Sequence, residues 1–139
     1  MSLIFVDTGA WIGLAHPRDE RHVAARAFSQ SLPRGTRLVT SNYVVSETIT
    51  WLTYRGSRRA AVDFHRNLER DLQSGAVLLD WIDAGHHDRG WKIFQQYHDQ
   101  VLSFTDCTSA VVARERNVDY VFSFDRDFRI LGFDVRPGQ

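Results

Sequence analysis

The sequence predicts a three-layer α/β/α sandwich with a central parallel sheet of four to five strands, in one domain over residues 1–139. Short apolar runs alternate with longer segments of helical periodicity. The first run, Leu3-Ile4-Phe5-Val6, is continuously apolar, which is typical of a strand buried on both faces. The connections are long enough for right-handed crossovers, and neither a repeat nor a linker interrupts them.

The first half of the chain predicts two strands and four helices. His16-Pro17 ends the first helix, Pro33-Arg34-Gly35 is a turn, and Gly75 stops the longest helix. In order, the predicted elements are a strand at 3–7, helices at 8–15 and 19–31, a strand at 37–40, a helix from Ser41 or Asn42 to about 55, and a helix capped by Ser57 to about 74.

The second half predicts further strands and helices in alternation. Its first helix has an apolar face on which Trp91, Phe94 and Tyr97 are expected to point inward. In order, the predicted elements are a strand at 76–82, a helix at 84–98, a helix from Ser103 or Thr105 to about 116, a strand at 119–125, a helical turn at 126–131 and a small edge strand at 133–135.

Bulk composition narrows the class of protein. The chain is 43% hydrophobic, which supports a sizeable core, and its formal net charge of zero argues neither for nor against a nucleic-acid partner. Cys107 is the only cysteine, so no intrachain disulfide forms. The first residues lack the basic region of a signal peptide, and no run approaches the roughly 20 apolar residues of a membrane span. We therefore expect a cytoplasmic protein without a membrane partner.

Four acids are placed where this fold would bring them together. Asp7 and Asp125 end apolar strands, whereas Glu47 and Asp106 lie early in helices. Ligands of open parallel sheets bind outside the carboxyl ends of the strands. Carboxylates that converge there repel one another unless a cation neutralises them. The pattern therefore predicts a site for a hard metal ion, and from it phosphodiester chemistry.

Each acid also has an ordinary structural interpretation. Asp7 and Asp125 are each followed by a helical segment that they could cap. Asp106 is a capping-box acid at the third helical position if Ser103 is the cap, and Glu47 alone is typical of a solvated helix face. Their joint placement is what favours a functional site.

Two neighbours of Asp125 extend the candidate site. Ser123 lies two residues earlier and faces the same way, because side chains alternate along a strand. Asp127 is either an accessory acid or a first-turn acid favoured by the helix dipole.

Three segments of the chain resemble the PIN-domain family, specifically the small ribonucleases of VapC type found in toxin–antitoxin pairs, and the resemblance covers essentially the whole chain. The first segment is Phe5-Val6-Asp7-Thr8-Gly9-Ala10, and the second is Val45-Ser46-Glu47. The third lies in the C-terminal part of the chain and comprises Leu102-Ser103-Phe104-Thr105-Asp106-Cys107, then Val121-Phe122-Ser123-Phe124-Asp125-Arg126-Asp127-Phe128, followed by Gly132. Ser123 and Cys107 stand where the family usually has Thr and a small residue; all required acids are present.

The resemblance implies roles for these residues. The catalytic acids would be Asp7, Glu47, Asp106 and Asp125, of which Asp7, Asp106 and Asp125 would bind the metal; Thr8, Ser123 and Asp127 would support them. The implied activity is a Mg²⁺- or Mn²⁺-dependent endoribonuclease that uses an activated water and leaves 5′-phosphate and 3′-hydroxyl ends. The implied partners are RNA, a cognate antitoxin that blocks the cleft, and a second copy in a homodimer.

Basic and aromatic residues are candidates for contacts with RNA or the antitoxin, but each has an ordinary alternative. Arginines cluster at one helix junction and near Asp125, and a charge run is usually a solvated face. Aromatic side chains are usually core residues. The basic candidates are Arg55, Arg58, Arg59, Arg126 and Arg129; the aromatic ones are Trp11, Trp51 and Tyr54.

Other site chemistries match the sequence less well. A haloacid-dehalogenase-like phosphatase needs a second acid where Gly9 stands, and a receiver domain needs an acidic pair and a late Lys. A zinc site is disfavoured because His86 and His87 are adjacent and there is no Cys pair. The non-enzymatic alternative is a PIN-like module that binds RNA or a partner without cutting.

Overall fold

A single five-stranded parallel sheet forms the centre of the computed structural model, which describes residues 2–138. The spatial order is β3-β2-β1-β4-β5, and every neighbouring pair is parallel. This confirms the predicted α/β/α architecture and its parallel sheet. The strands are β1 (Leu3–Val6), β2 (Arg37–Ser41), β3 (Val77–Asp80), β4 (Tyr120–Ser123) and β5 (Val135–Pro137).

Helices connect the strands and pack against one another around the sheet. α1 packs on α2 and α3, and α5 packs on α6. Within the described chain, no helix has the length and apolar character needed to cross a membrane. The helices are α1 (Thr8–Ala15), α2 (His22–Ser31), α3 (Asn42–Trp51) with a π-helical turn (Leu52–Gly56), α4 (Arg58–Ser74), α5 (Ala84–Gln96), α6 (Phe104–Glu115) and the short α7 (Asp127–Ile130).

The two central strands carry the core. Phe5 of β1 pairs with Val39 on one side and Val121 on the other, and all three side chains are fully buried. Each buried aliphatic or aromatic side chain contributes about 1.5–3 kcal/mol relative to exposure. The apolar β1 and β4 are therefore held in the middle of the sheet, which fixes the position of the residues that follow each strand.

Serines begin three of the helices, as the sequence predicts. Ser41 Oγ accepts from the Val44 amide at 3.2 Å, so Ser41, and not Asn42, caps α3. Ser57 caps α4 and Ser103 caps α6 in the same way. Gly75 ends α4 at a φ of 81°, a left-handed conformation that favours glycine.

Several boundaries differ from the prediction at the edge that matters for function. β1 ends at Val6 and β4 at Ser123, so Asp7 and Asp125 follow the strands instead of ending them. α2 begins only at His22, because residues 19–21 form a turn in which the Asp19 carboxylate accepts from the Arg21 amide at 3.0 Å. β5 lies at Val135–Pro137, two residues later than predicted.

The orientation predicted for α5 is wrong at two of three positions. Trp91 and Phe94 are 48% and 39% exposed, whereas Tyr97 packs partly buried against the core. The buried residues of α5 are Gly90, which lies against Thr108 of α6, and Ile93, and this orientation leaves Trp91 and Phe94 at the exposed margin of the helix pair. A Cβ built on Gly90 would lie 2.8 Å from Thr108 Cγ2 and 3.3 Å from the Thr108 amide nitrogen.

This close approach predicts an unusual response to a glycine substitution. In a helix, Gly→Ala ordinarily stabilises by roughly 0.5–1 kcal/mol. Gly90→Ala should instead destabilise by about 1–3 kcal/mol, because the methyl group must displace the buried Thr108 of α6. Urea unfolding measures this. Gly9→Ala is the matched control, since a Cβ there meets nothing within 4 Å; equal effects of the two substitutions would contradict the packing described.

Candidate active site

The four predicted acids line one cleft at the carboxyl edge of the sheet. The cleft has a volume of about 570 Å³, and Thr8 and Ser103 lie in its wall beside the acids. β1 and β4 are neighbours, so the residues after them meet directly. The acids in the cleft are Asp7, Glu47, Asp106 and Asp125.

Asp7 is the most strongly perturbed of these carboxylates. Its amide donates to Phe122 O at 3.1 Å, and Ser123 Oγ donates to its Oδ2 at 2.7 Å. Desolvation by the surrounding protein raises the pKa of Asp7 to about 7, and the charges of Asp106 and Asp125 add to this. The Ser123 hydrogen bond acts in the opposite direction. Without a cation, Asp7 therefore changes its protonation state near physiological pH.

Ser123 links the two strand ends. Besides donating to Asp7, its hydroxyl accepts from the Asp125 amide at 3.0 Å. One buried side chain thus fixes the Asp7 carboxylate and the start of the loop that carries Asp125. The supporting role expected for Ser123 in a metal site stays a prediction.

Asp106 caps its own helix and faces the cleft at the same time. Its Oδ2 accepts from the Ser103 amide at 3.1 Å, and its amide donates to Ser103 Oγ at 3.0 Å, which completes a capping box. Desolvation raises the pKa of Asp106 to about 6 despite these hydrogen bonds, with further contributions from the charges of Asp127 and Glu47. The structural and the functional interpretations of Asp106 are therefore compatible.

The remaining acids lie at the margin of the cleft. Asp125 and Glu47 are exposed side chains in its lining. Asp127 is not part of that lining as far as the structure describes it, but its amide donates to Asp125 Oδ1 at 3.1 Å. Desolvation, followed by the charge of Asp125, raises the pKa of Asp127. Asp127 thus adds negative charge next to the four acids.

The Thr8 hydroxyl is an orphaned polar group in the cleft wall. It is buried, and Thr8 Oγ1 finds no hydrogen-bond partner in the described part of the chain. Buried hydroxyls are usually satisfied, and an exception needs an explanation. A ligand in the cleft, or water that the ligand carries, would supply the missing partner.

The donor set fits a hard divalent cation in its chemistry. Every side chain offered is a carboxylate or a hydroxyl, which are the ligands that Mg²⁺ and Mn²⁺ prefer. Among residues 2–138, no three His, Cys, Asp or Glu side chains are already close enough together to hold a metal ion. Mutual repulsion separates carboxylates that lack a counterion, and Mg²⁺ usually retains several waters that bridge such gaps.

Sequence reasoning missed one basic residue of the cleft. Arg21 lines it together with Asp19, and its guanidinium carbon lies 5.1 Å from the centre of the Phe124 ring. Both residues fell inside a helix predicted over 19–31, where nothing distinguished them. Aspartate is common in turns, so Asp19 was the one signal in the sequence that a turn comes first and the helix begins later.

Most of the basic and aromatic candidates lie elsewhere. Trp51 is in the cleft, whereas Trp11 is a core residue whose Nε1 donates to Thr40 Oγ1 at 3.3 Å. Cys107 is buried, and desolvation raises the pKa of its thiol to about 11, in keeping with a packing role. The candidates that do not line the cleft in the described chain are Arg55, Arg58, Arg59, Arg126, Arg129 and Tyr54.

Comparison with known proteins identifies similar chains over nearly the full length. A family model described as the PIN domain matches residues 4–134. The chain is 34% identical over 136 residues to the 23S rRNA-specific endonuclease VapC20 of Mycobacterium tuberculosis, covering 97% of this chain and 99% of that protein. It is 26% identical over 128 residues to a VapC ribonuclease of Archaeoglobus fulgidus, covering 90% and 78%.

The fold of this chain is also similar to that of the Mycobacterium tuberculosis relative. The crystal structure of Mycobacterium tuberculosis VapC20, described as a sarcin-ricin loop cleaving toxin, superimposes with a TM-score of 0.83 at 32% identity. The match covers 94% of this chain and 96% of that one.

The desolvation of the Asp7 carboxylate predicts a pH-dependent gain in stability from Asp7→Asn in metal-free protein. The folded pKa of about 7 exceeds the ordinary value of 3.8, so the stability of the parent falls as the pH rises through this window. The neutral amide escapes that penalty. We expect Asp7→Asn to raise the Tm by roughly 3 °C or more at pH 7.5 in EDTA, and by less at pH 5.

Differential scanning calorimetry at both pH values measures this, with Asp63→Asn on the exposed face of α4 as the control. An Asp7→Asn protein less stable than its parent at pH 7.5 would show that the carboxylate is not penalised by its surroundings.

Proposed function

Because this chain belongs to the PIN-domain family, we propose that it is a divalent-metal-dependent endoribonuclease, the toxin of a toxin–antitoxin pair. The observation that carries the proposal is the convergence of Asp7, Glu47, Asp106 and Asp125 in one cleft at the carboxyl edge of the sheet. Desolvated carboxylates of raised pKa are typical of functional sites. The VapC relatives, at 34% and 26% identity over nearly the whole chain, support ribonuclease chemistry.

In this proposal, Asp7, Asp106 and Asp125 hold Mg²⁺ or Mn²⁺. A cation at this position would stabilise charge on a phosphoryl oxygen and lower the pKa of water for attack. Ser123 positions Asp7 through its 2.7 Å hydrogen bond, and the capping box positions Asp106. Glu47, exposed on α3 at the margin, orients the attacking water or binds a second ion. Thr8 and Asp127 support these groups.

Arg21 is assigned to the substrate. It is the one basic side chain that lines the cleft in the described chain, and its guanidinium lies against the face of Phe124. Phosphate contacts supply most of the sequence-independent affinity for nucleic acid. An Arg fixed on an aromatic ring next to the acids is suited to hold an RNA phosphate.

The binding partners of the protein and its location in the cell are part of the same proposal. An acid-lined cleft is complementary to a cationic side chain of a cognate antitoxin, and family membership supports both that partner and a homodimer. The protein would act in the cytoplasm as one domain over residues 1–139. Since VapC20 is named for 23S rRNA, the sarcin-ricin loop of that RNA is the first substrate to test.

The proposed function predicts metal-dependent cleavage of RNA. The purified protein, free of antitoxin, should cleave total RNA or an isolated sarcin-ricin loop in Mg²⁺ or Mn²⁺ and fail in EDTA. Asp106→Asn should lower the rate by about 100-fold or more, the scale on which active sites lose single electrostatic groups. Asp63→Asn is the matched control.

Gel analysis with end mapping should find 5′-phosphate and 3′-hydroxyl products. If folded protein leaves both RNAs intact, or if Asp106→Asn cleaves at the parent rate, the non-catalytic binding module becomes the better explanation.

The assignment of Arg21 to the substrate predicts weaker RNA binding in Arg21→Ala. Losing one phosphate contact should weaken RNA binding by roughly tenfold and reduce the slope of log affinity against log salt by about one. Filter binding over a range of salt concentrations measures both. Arg34→Ala is the control, because Arg34 is exposed in the turn before β2, at the opposite edge of the sheet. Equal effects of the two substitutions would remove Arg21 from the substrate site.

A further inference from the structure

A continuous group of aromatic side chains lies beside the acid cleft. It comprises Tyr43 on α3, His87, Trp91 and Phe94 on α5, and Phe104 on α6, and is called here the aromatic ridge.

Phe104 is the centre of the ridge. Its ring lies 4.9 Å from that of His87, and between 6.2 and 6.4 Å from those of Trp91, Phe94 and Tyr43. Trp91 and Phe94 are stacked almost parallel, at 5.4 Å and 14°. The ridge is therefore an ordered cluster of flat faces and not a set of isolated side chains.

The outer members of the ridge are not needed for the core. Trp91 and Phe94 are 48% and 39% exposed, and His87 is exposed as well. The buried residues of α5 are Gly90, which lies against Thr108 of α6, and Ile93. A contiguous apolar surface that the fold leaves in solvent is typical of an interaction site.

The ridge is joined to the cleft through the first turn of α6. In that turn Phe104 belongs to the ridge, whereas Asp106 faces the cleft. Thr105 and Tyr43 line a depression of about 460 Å³ whose wall includes Glu47 and Trp51, two residues that also line the cleft. The depression therefore links the cleft to the ridge, because it shares Glu47 and Trp51 with the first and Tyr43 with the second.

We propose that the aromatic ridge stacks unpaired bases of the RNA whose phosphodiester lies in the acid cleft. The inference rests on the proposed nuclease function and deepens it by naming the side chains that hold the unpaired bases next to the cleaved phosphodiester. Bases in loops are free to stack on aromatic side chains, whereas bases inside a duplex are not.

Stacking would also offset the electrostatic repulsion between the acid cleft and the RNA. The acids of the cleft repel the phosphate backbone, so affinity has to come from groups outside them. Base–aromatic stacking tolerates any base, because every base has a π face. The ridge therefore supplies binding, and sequence preference within the loop is left to other contacts.

Binding measured separately from cleavage tests this inference. In an Asp106→Asn background, which keeps the RNA intact, fluorescence anisotropy would compare a short single-stranded oligoribonucleotide with an abasic strand of equal length. The combined Trp91→Ala and Phe94→Ala change should weaken binding of the normal strand by about tenfold or more and leave binding of the abasic strand unchanged. Tyr54→Ala, at an 82% exposed aromatic outside the ridge, should change neither.

Single substitutions at Trp91 guard against an effect of misfolding. Trp91→Phe should retain most of the affinity, whereas Trp91→Leu, which is apolar but lacks a π face, should lose it. Unchanged affinity in the combined variant, or an equal loss with the abasic strand, would overturn the stacking role. Unchanged affinity together with a shift from dimer to monomer in sedimentation would assign the ridge to a subunit interface instead. Failure of metal-dependent cleavage would overturn the nuclease proposal while these binding results still decide the role of the ridge.

Discussion

The repulsion among carboxylates at one edge of a parallel sheet is the constraint around which this molecule is organised. β1 and β4 are neighbours because their apolar residues belong in the centre of the sheet, and Asp7 follows the first of them directly. Its carboxylate is then confined among protein atoms with Asp106 and Asp125 nearby, and its pKa rises to about 7. A fold without a use for this arrangement would gain stability by replacing the acid.

Hydrogen bonds hold these mutually repelling carboxylates in position. Ser123 donates to Asp7 and accepts from the Asp125 amide, so one hydroxyl orients groups from both strand ends. Asp106 is held by the capping box of α6, which ties its carboxylate to the Ser103 amide. The capping box that begins α6 therefore also positions a residue of the candidate site. A divalent cation would convert the repulsion into attraction, which is the physical basis of the proposed chemistry.

Sequence reasoning predicted the parallel sheet, the serine caps and the convergence of four acids, because each depends on local pattern and on the geometry of parallel strands. It could not place Arg21, whose position in the cleft depends on where the turn before α2 ends. It also predicted, wrongly, that the side chains of Trp91 and Phe94 point into the core. Helical periodicity identifies an apolar face, but the tight approach at Gly90 decides which stripe of that face meets α6. Both misses concern tertiary contacts between elements that were themselves predicted correctly in type.

The most direct test of the central claim is a crystal structure of the protein soaked in Mn²⁺, with anomalous diffraction recorded at the manganese edge. If these acids hold a metal ion, an anomalous peak should lie in the cleft, within coordination distance of oxygens of Asp7 and Asp106 or bridged to them by ordered water. Asp7→Asn should then abolish the peak. Fully occupied manganese elsewhere with an empty cleft, or a peak that persists in Asp7→Asn, would contradict the assignment of these acids to a metal.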